Sequence, residues 1–204
     1  MKFINIRSIL SIPSMYRLFS DMIGAKRART IMVQKYLKTR KGYRVLDIGC
    51  GTGDILEYLD GVNYTGFDID LKYIDAAKKR FGNRGVFLCQ SVRKEAMFGP
   101  EMFDIVISFG VLHHLTDDEA INLFQLASSA LKPGCRIITV DPCYVKCQSA
   151  AARFLISIDR GRYVRSDAEY FKLAQVVFRQ VNATIEHDLL RIPYSHIILE
   201  CVNE

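Results

Sequence analysis

The chain has 204 residues, half of them hydrophobic and a quarter charged, with a net charge of +6. That length fits one domain with a sizeable core, and that composition excludes an intrinsically disordered chain. No apolar run reaches the roughly 18–20 residues needed to span a bilayer, and Arg7, Pro13 and Arg17 interrupt the N-terminal apolar stretch, which argues against a signal peptide.

Six cysteines lack the spacing of a disulfide scaffold or a zinc site, so they read as reduced small hydrophobes in a cytoplasmic protein. Cys143-x-x-x-Cys147 has suggestive spacing, but no nearby His completes a ligand set, and no metal is expected. Residues 1–44 carry eleven Lys/Arg against one acid, Asp21, while the remainder is net acidic. This basic, apolar-rich segment reads either as a contact for an anionic membrane surface, nucleic acid or an acidic substrate, or as a solvated helix face.

Along the chain, residues 3–23 read as short helical pieces broken at Pro13, and 26–40 as an amphipathic helix ending at Gly42. Strands and helices then alternate. A strand over 43–48 leads to a helix starting at Gly53, a strand over 63–68 to a helix over 71–81, and a strand over 85–90 to another over 103–109. Thr116-x-x-Glu119 is a capping box that opens a helix running to the Leu131–Gly134 turn; a strand over 135–141 stops at Pro142. A helical stretch 144–158 and a charged connector 159–165 precede a second capping box, Ser166-x-x-Glu169, and a helix over 167–180. Strands near 183–190 and 194–201, separated by a short turn at Ile192-Pro193, predict an antiparallel hairpin.

This order predicts an α/β, Rossmann-like, doubly wound seven-stranded sheet, mostly parallel, with one antiparallel strand in a C-terminal hairpin and helices on both faces. The whole chain reads as one domain. It divides into a basic helical cap (1–41), a core (42–142), an insert on the substrate side (143–165), and the last helix with its hairpin (166–204). Ligands on such sheets bind beyond the carboxyl ends of the strands.

The segment Val45-Leu46-Asp47-Ile48-Gly49-Cys50-Gly51-Thr52-Gly53-Asp54 places a glycine turn at that end of the first strand, where a ligand can approach the backbone closely. A dinucleotide fingerprint wants Gly or Ala at position 54, but Asp54 stands there, and Asp47 would repel a pyrophosphate. A carboxylate at 47 suits a ligand with a positive amino group. Asp68, at the end of the second strand, can take both ribose hydroxyls, and Asp70 reads as the N-cap of the following helix.

Asp47-x-Gly49-x-Gly51-x-Gly53 resembles motif I of the class I S-adenosylmethionine (SAM) dependent methyltransferases. Asp68 looks like the family's post-I acid. Phe103–Phe109 with Val111–Leu115 resembles motif II and its continuation, and Leu131–Ile138 resembles the approach to strand five. The resemblance covers residues 42–142 in detail and is closest to small stand-alone bacterial members of unassigned substrate. It implies SAM as cofactor, held by Asp47, Gly49, Cys50, Gly51, Thr52, Gly53, Asp68, Ile69, Ser91, Val92 and Ser108. Ser91 is a departure: many members carry an acid there to contact the adenine amino group, and a hydroxyl with the Val92 N–H stands in its place.

The implied reaction moves a methyl group from SAM to a small organic acceptor, at an O, N or C atom the sequence does not specify, and releases S-adenosylhomocysteine (SAH). A general base is needed only for an acceptor whose proton must leave early. His114, His113 and Asp141, at the rim where acceptor and methyl would meet, are the candidates; the other reading of the His pair is a loop brace. His187 and His196 read as structural. Arg160, Arg162, Arg165 and Tyr163 read either as a receptor for a carboxylate or phosphate, or as solvated or paired with Asp159, Asp167 and Glu169. The chain lacks an RNA-binding appendage, so a small molecule is favoured over nucleic acid. A non-catalytic SAM/SAH-binding module is the alternative function, and a dehydrogenase is disfavoured by the glycine spacing.

Overall fold

A computed structural model describes residues 21–91, 102–159 and 161–204. Helix α1, Ala25–Ile31, continues into a π-helical turn, Met32–Leu37, rather than running as one α-helix to Arg40. It ends where Lys38 adopts φ 47° and donates its N–H to the Val33 carbonyl, 2.9 Å away. The strands are β1 (Arg44–Ile48), β2 (Asn63–Asp68), β3 (Gly85–Cys89), β4 (Phe103–Phe109), β5 (Leu131–Tyr144), β6 (Arg165–Ser166), β7 (Gln180–Glu186) and β8 (His196–Val202). Helices α2 (Leu71–Phe81), α3 (Asp117–Ala130), α4 (Ala150–Ser157) and α5 (Asp167–Gln175) alternate with them.

The sheet runs β3-β2-β1-β4-β5-β8-β7, seven strands in the main path, and β6 adds a two-residue eighth strand on β5. β1 to β5 pair in parallel, while β8 lies antiparallel to both β5 and β7. The alternation of side chains along β1 and β4 divides the core in two. Leu46, Ile48 and Val106 join Leu123, Phe124 and Ala127 of α3 and Tyr170 and Ala174 of α5 on one face. Val45, Ile105 and Ile107 join Met32 and Leu37 at the end of the first helix and Ile74, Ala77 and Phe81 of α2 on the other. Asp47 shares the second face, placed among apolar neighbours by strand parity.

The local signals act as their chemistry predicts. Asp70 accepts the Lys72 N–H at 2.8 Å, and Thr116 with Glu119 and Ser166 with Glu169 each form a complete capping box.

Further elements differ from their sequence reading. The stretch 144–158 is helical only over Ala150–Ser157, because β5 runs on to Tyr144. After Gly53 there is only a short 3-10 helix, Asp54–Tyr58. α5 ends at Gln175, short of residue 180. β5 starts at Leu131 and runs through Pro142, because Lys132–Gly134 are looped out where the β4–β5 register shifts and Pro142 sits opposite His196 beyond the parallel ladder. The hairpin closes through nine residues, 187–195, and not through a tight turn, since its strands end at Glu186 and restart at His196.

Candidate cofactor and acceptor site

Gly49, Gly51 and Gly53 have φ of 75°, 53° and 69°, left-handed conformations that L side chains rarely adopt. The turn they make is stitched to the end of β2: the Gly49 and Cys50 N–H groups both donate to the Phe67 carbonyl, and the Gly51 N–H donates to Asp68 Oδ2 at 2.9 Å. The glycines differ in what surrounds them. A Cβ on Gly49 would lie 2.4 Å from the Val111 side chain and one on Gly53 2.8 Å from Phe87, whereas a Cβ on Gly51 would meet nothing within 4 Å. Gly49 and Gly53 are therefore required by packing, and Gly51 borders open space.

Asp68 closes that space on one side. Its other oxygen accepts the Asp70 N–H at 2.9 Å, so two backbone donors hold the carboxylate in place while lone pairs remain for hydroxyl donors. Burial raises its pKa, and the backbone donors oppose that rise. Ile69, next along, is 74% exposed, an apolar surface that an aromatic base can cover. Ser91 is half-buried beyond β3, and Val92 lies outside the described residues. Open backbone at Gly51, a fixed carboxylate at Asp68 and bare apolar surface at Ile69 fit an adenosine-bearing ligand. Cys50 is buried and its thiol faces the Gly51 carbonyl, whereas Thr52 is half-buried on the same turn.

Asp47 and Ser108 lie deeper than their assigned roles suggest. Asp47 is 4% exposed and accepts the Tyr64 hydroxyl proton at 2.5 Å beneath the turn. Burial pushes its pKa up to about 7, against the Tyr64 hydrogen bond, and the Asp68 charge adds to the rise. Ser108 is fully buried and spends its hydroxyl on the Ile48 carbonyl, tying β4 to β1.

At the acceptor side, beyond the ends of β4 and β5, His113 sits between two acids. Its Nδ1 is 2.8 Å from Asp141 and its Nε2 is 3.4 Å from Asp159. Burial works against the charged imidazole, but the Asp141 and Asp159 hydrogen bonds outweigh it and hold the pKa at about 9. With both ring nitrogens facing carboxylates, His113 links Asp141 of β5 to Asp159 of the connector, a geometry that braces the loop. His114 is exposed on the same short turn, with its ring 4.0 Å from that of His113.

Asp159 was not among the sequence candidates, yet it joins three segments. It faces His113, accepts the Gly161 N–H at 2.9 Å, and accepts the Tyr194 hydroxyl at 2.7 Å. Those bonds draw its pKa well below the usual carboxylate range, against its burial. Gly161 presses on the His113 ring so closely that a Cβ there would overlap it. The sequence signal was the acid at the head of the connector, but its partners lie 46 and 35 residues away in the chain. His196, half-buried beside this group, is held neutral by burial, with a pKa near 4.

Arg165 is not a substrate ligand. It is 8% exposed, grips Asp117 Oδ1 through Nε and Nη2, and donates to the Leu112, Leu115 and Tyr163 carbonyls. Its partner is Asp117 rather than Asp159, Asp167 or Glu169, because β6 lays it along the start of α3. Arg160 and residues 1–20 lie outside the described residues. No group of three or more His, Cys, Asp or Glu among the described residues is arranged to hold a metal, and no described helix is long and apolar enough to cross a membrane.

A family profile described as "Methyltransferase domain" matches residues 45–134, the span from the glycine turn to the bulge of β5. Those residues are similar to a methyltransferase domain. The ubiquinone biosynthesis O-methyltransferase of Pectobacterium carotovorum is 29% identical to this chain over 98 residues, covering 46% of the chain and 40% of that protein. The chain thus spans between about a fifth and two-fifths of the length of the curated relatives it first matches. Among solved structures, the TehB-like SAM-dependent methyltransferase of Corynebacterium glutamicum superposes with a TM-score of 0.63 at 19% identity, over 94% of this chain and 98% of that one. A Haemonchus contortus phosphoethanolamine N-methyltransferase, solved with phosphomonomethylethanolamine and SAH, superposes at 0.72 and 16% identity, over 99% of this chain and 61% of that one. At such identities these likenesses concern the methyltransferase fold.

Proposed function

We propose that the protein is a SAM-dependent methyltransferase acting on a small organic acceptor. The observation that carries this is the pairing of open backbone at Gly51 with the Asp68 carboxylate, inside a segment that matches a methyltransferase-domain profile. When bound, SAM supplies a methyl group on a positively charged sulfur, open to in-line displacement. The protein's work is then placement. Asp68 receives the ribose hydroxyls, Ile69 and Ser91 flank the adenine, and the Gly49–Gly53 turn lets the amino-acid end approach the backbone. The buried Asp47 carboxylate favours a positive amino group above the turn through its field rather than by contact.

On the acceptor side, the His113 brace fixes the β4 and β5 ends, and Asp159 and Gly161 stand at the rim. His114 is the residue in position to take a proton from an acceptor that has one to lose. Of the basic residues in 21–44, Lys26, Arg29 and Lys35 are held in ion pairs with Asp21, Asp54 and Glu186, while Lys38, Arg40 and Lys41 are exposed, so the membrane-contact reading keeps those three beside residues 1–20.

A turnover assay tests this reading. Purified protein with SAM and a fractionated cell extract is expected to release SAH, and the extract or protein alone is not. His114→Ala should lower the rate by about 10²–10³-fold if the acceptor is a hydroxyl or phenol. SAH bound without any turnover across such fractions would favour the non-catalytic module instead.

A further inference from the structure

The basic first helix has no role in the reaction as described, yet its charges are committed to the two sides of the site. We infer that α1 is a strut coupling the glycine turn to the acceptor-side loop 187–195, with Arg29 as its positioning residue, an inference that rests on the cofactor reading above.

At the turn, the Arg29 guanidinium lies 3.0 Å from Asp54 and 3.5 Å from Asp21. Asp54 directly follows Gly53, and its second oxygen is taken by Arg80, which also bonds Glu57. Arg80 lies 4.5 Å over the Phe81 ring, and Phe81 stacks on Phe87. Those two rings close directly on Gly53, where a Cβ would come within 2.8 Å of Phe87 and 3.3 Å of Phe81. One end of the turn is thus gripped by two arginines and backed by two rings. The Arg29 and Asp54 side chains are only 18% and 11% exposed, so the pair is screened less than a surface ion pair.

The other end of α1 is fastened to the loop. The Arg191 N–H donates to the Ile23 carbonyl at 2.8 Å, Arg27 donates to the Asp188 carbonyl at 2.8 Å, and Gly24 has room against Arg191 only for a hydrogen. Past the helix, Lys35 and Tyr36 converge on Glu186, the residue before the loop, at 2.6 and 2.5 Å. The loop itself carries Tyr194, whose hydroxyl reaches Asp159 and through it His113. A continuous chain of contacts therefore runs from Gly53 through Arg29 and α1 to the acceptor rim. Whatever fixes the turn lowers the freedom of the loop, and the coupling is reciprocal.

Calorimetric titration with SAH and amide hydrogen exchange, on wild type, Arg29→Gln, Arg29→Lys and Arg27→Gln, test the strut. SAH is expected to slow exchange in both 21–37 and 187–195 of the wild type. Arg29→Gln should weaken SAH about tenfold and abolish its protection of 187–195, with Arg29→Lys recovering part of both. Arg27→Gln cuts the loop end, so it should lose the loop's protection while keeping affinity within about threefold. Unchanged SAH affinity and loop protection in folded Arg29→Gln would overturn the proposal, as would wild-type protection confined to the turn. If Arg29→Gln does not fold, Arg27→Gln decides: loop protection that it leaves wholly undiminished overturns the strut. Wild type that binds no SAH overturns the cofactor reading, and the strut with it.

Discussion

Three glycines that look alike in the sequence have different reasons to be there. Gly49 and Gly53 are enclosed by Val111 and by Phe87, while Gly51 opens onto the ligand side. Alanine at Gly49 should unfold or strongly destabilise the domain, because backbone strain adds to a collision with a packed valine. Alanine at Gly51 meets only the strain of its left-handed backbone, about 1–2 kcal/mol, so the variant should fold. Its methyl group should nevertheless weaken SAH by tenfold or more. Thermal melts beside SAH titrations separate the two; a Gly51→Ala protein that folds and binds SAH normally would show that the ligand does not lie against this turn. The repeated glycines and the two following acids were plain in the sequence. Which glycine borders the ligand was not, because that depends on Val111 and Phe87, which sit 62 and 34 residues from their glycines.

At the scale of elements, strands buried on both faces read well because their apolar runs are continuous and their ends are marked by glycine or aspartate. β2, β4 and α2 have the predicted ends. The misread segments are those whose limits are set by partners. β5 continues to Pro142 because β8 pairs with it there and on to Tyr144 because β6 does, and the hairpin loop is nine residues long because Tyr194 and Arg191 are held by Asp159 and by Ile23. The same loop makes the His113 brace testable. A histidine with a folded pKa of about 9, above an unfolded value near 6.5, lends stability that is complete below pH 6.5 and is lost as pH rises through about 9. Melting temperatures from pH 6 to 10 should therefore fall for the wild type, and Asp159→Asn should start lower and fall less, since one carboxylate partner is gone. Parallel curves for the two proteins would place the proton elsewhere.

At the scale of the molecule, two cores back one sheet, and the carboxyl ends of its strands gather the glycine turn, Asp68, the His113 brace and the loop 187–195 along one edge. Fold and cofactor end were legible because motif spacing and strand order are local or sequential features. The acceptor end was legible only as a list of candidates, since Asp159, Tyr194 and His113 come together through the fold, and what they enclose is shaped by segments outside the repeating βα pattern. The central claim is that this edge holds an adenosine-bearing cofactor by the Gly51 backbone and the Asp68 carboxylate. Isothermal titration of SAH into wild type and Asp68→Ala, both shown folded by circular dichroism, tests it most directly. The account predicts one site per chain with micromolar affinity, weakened at least about 50-fold by Asp68→Ala through loss of charge-assisted hydrogen bonds. Folded wild type that takes up no SAH, or an Asp68→Ala protein that binds as tightly as the wild type, would contradict it.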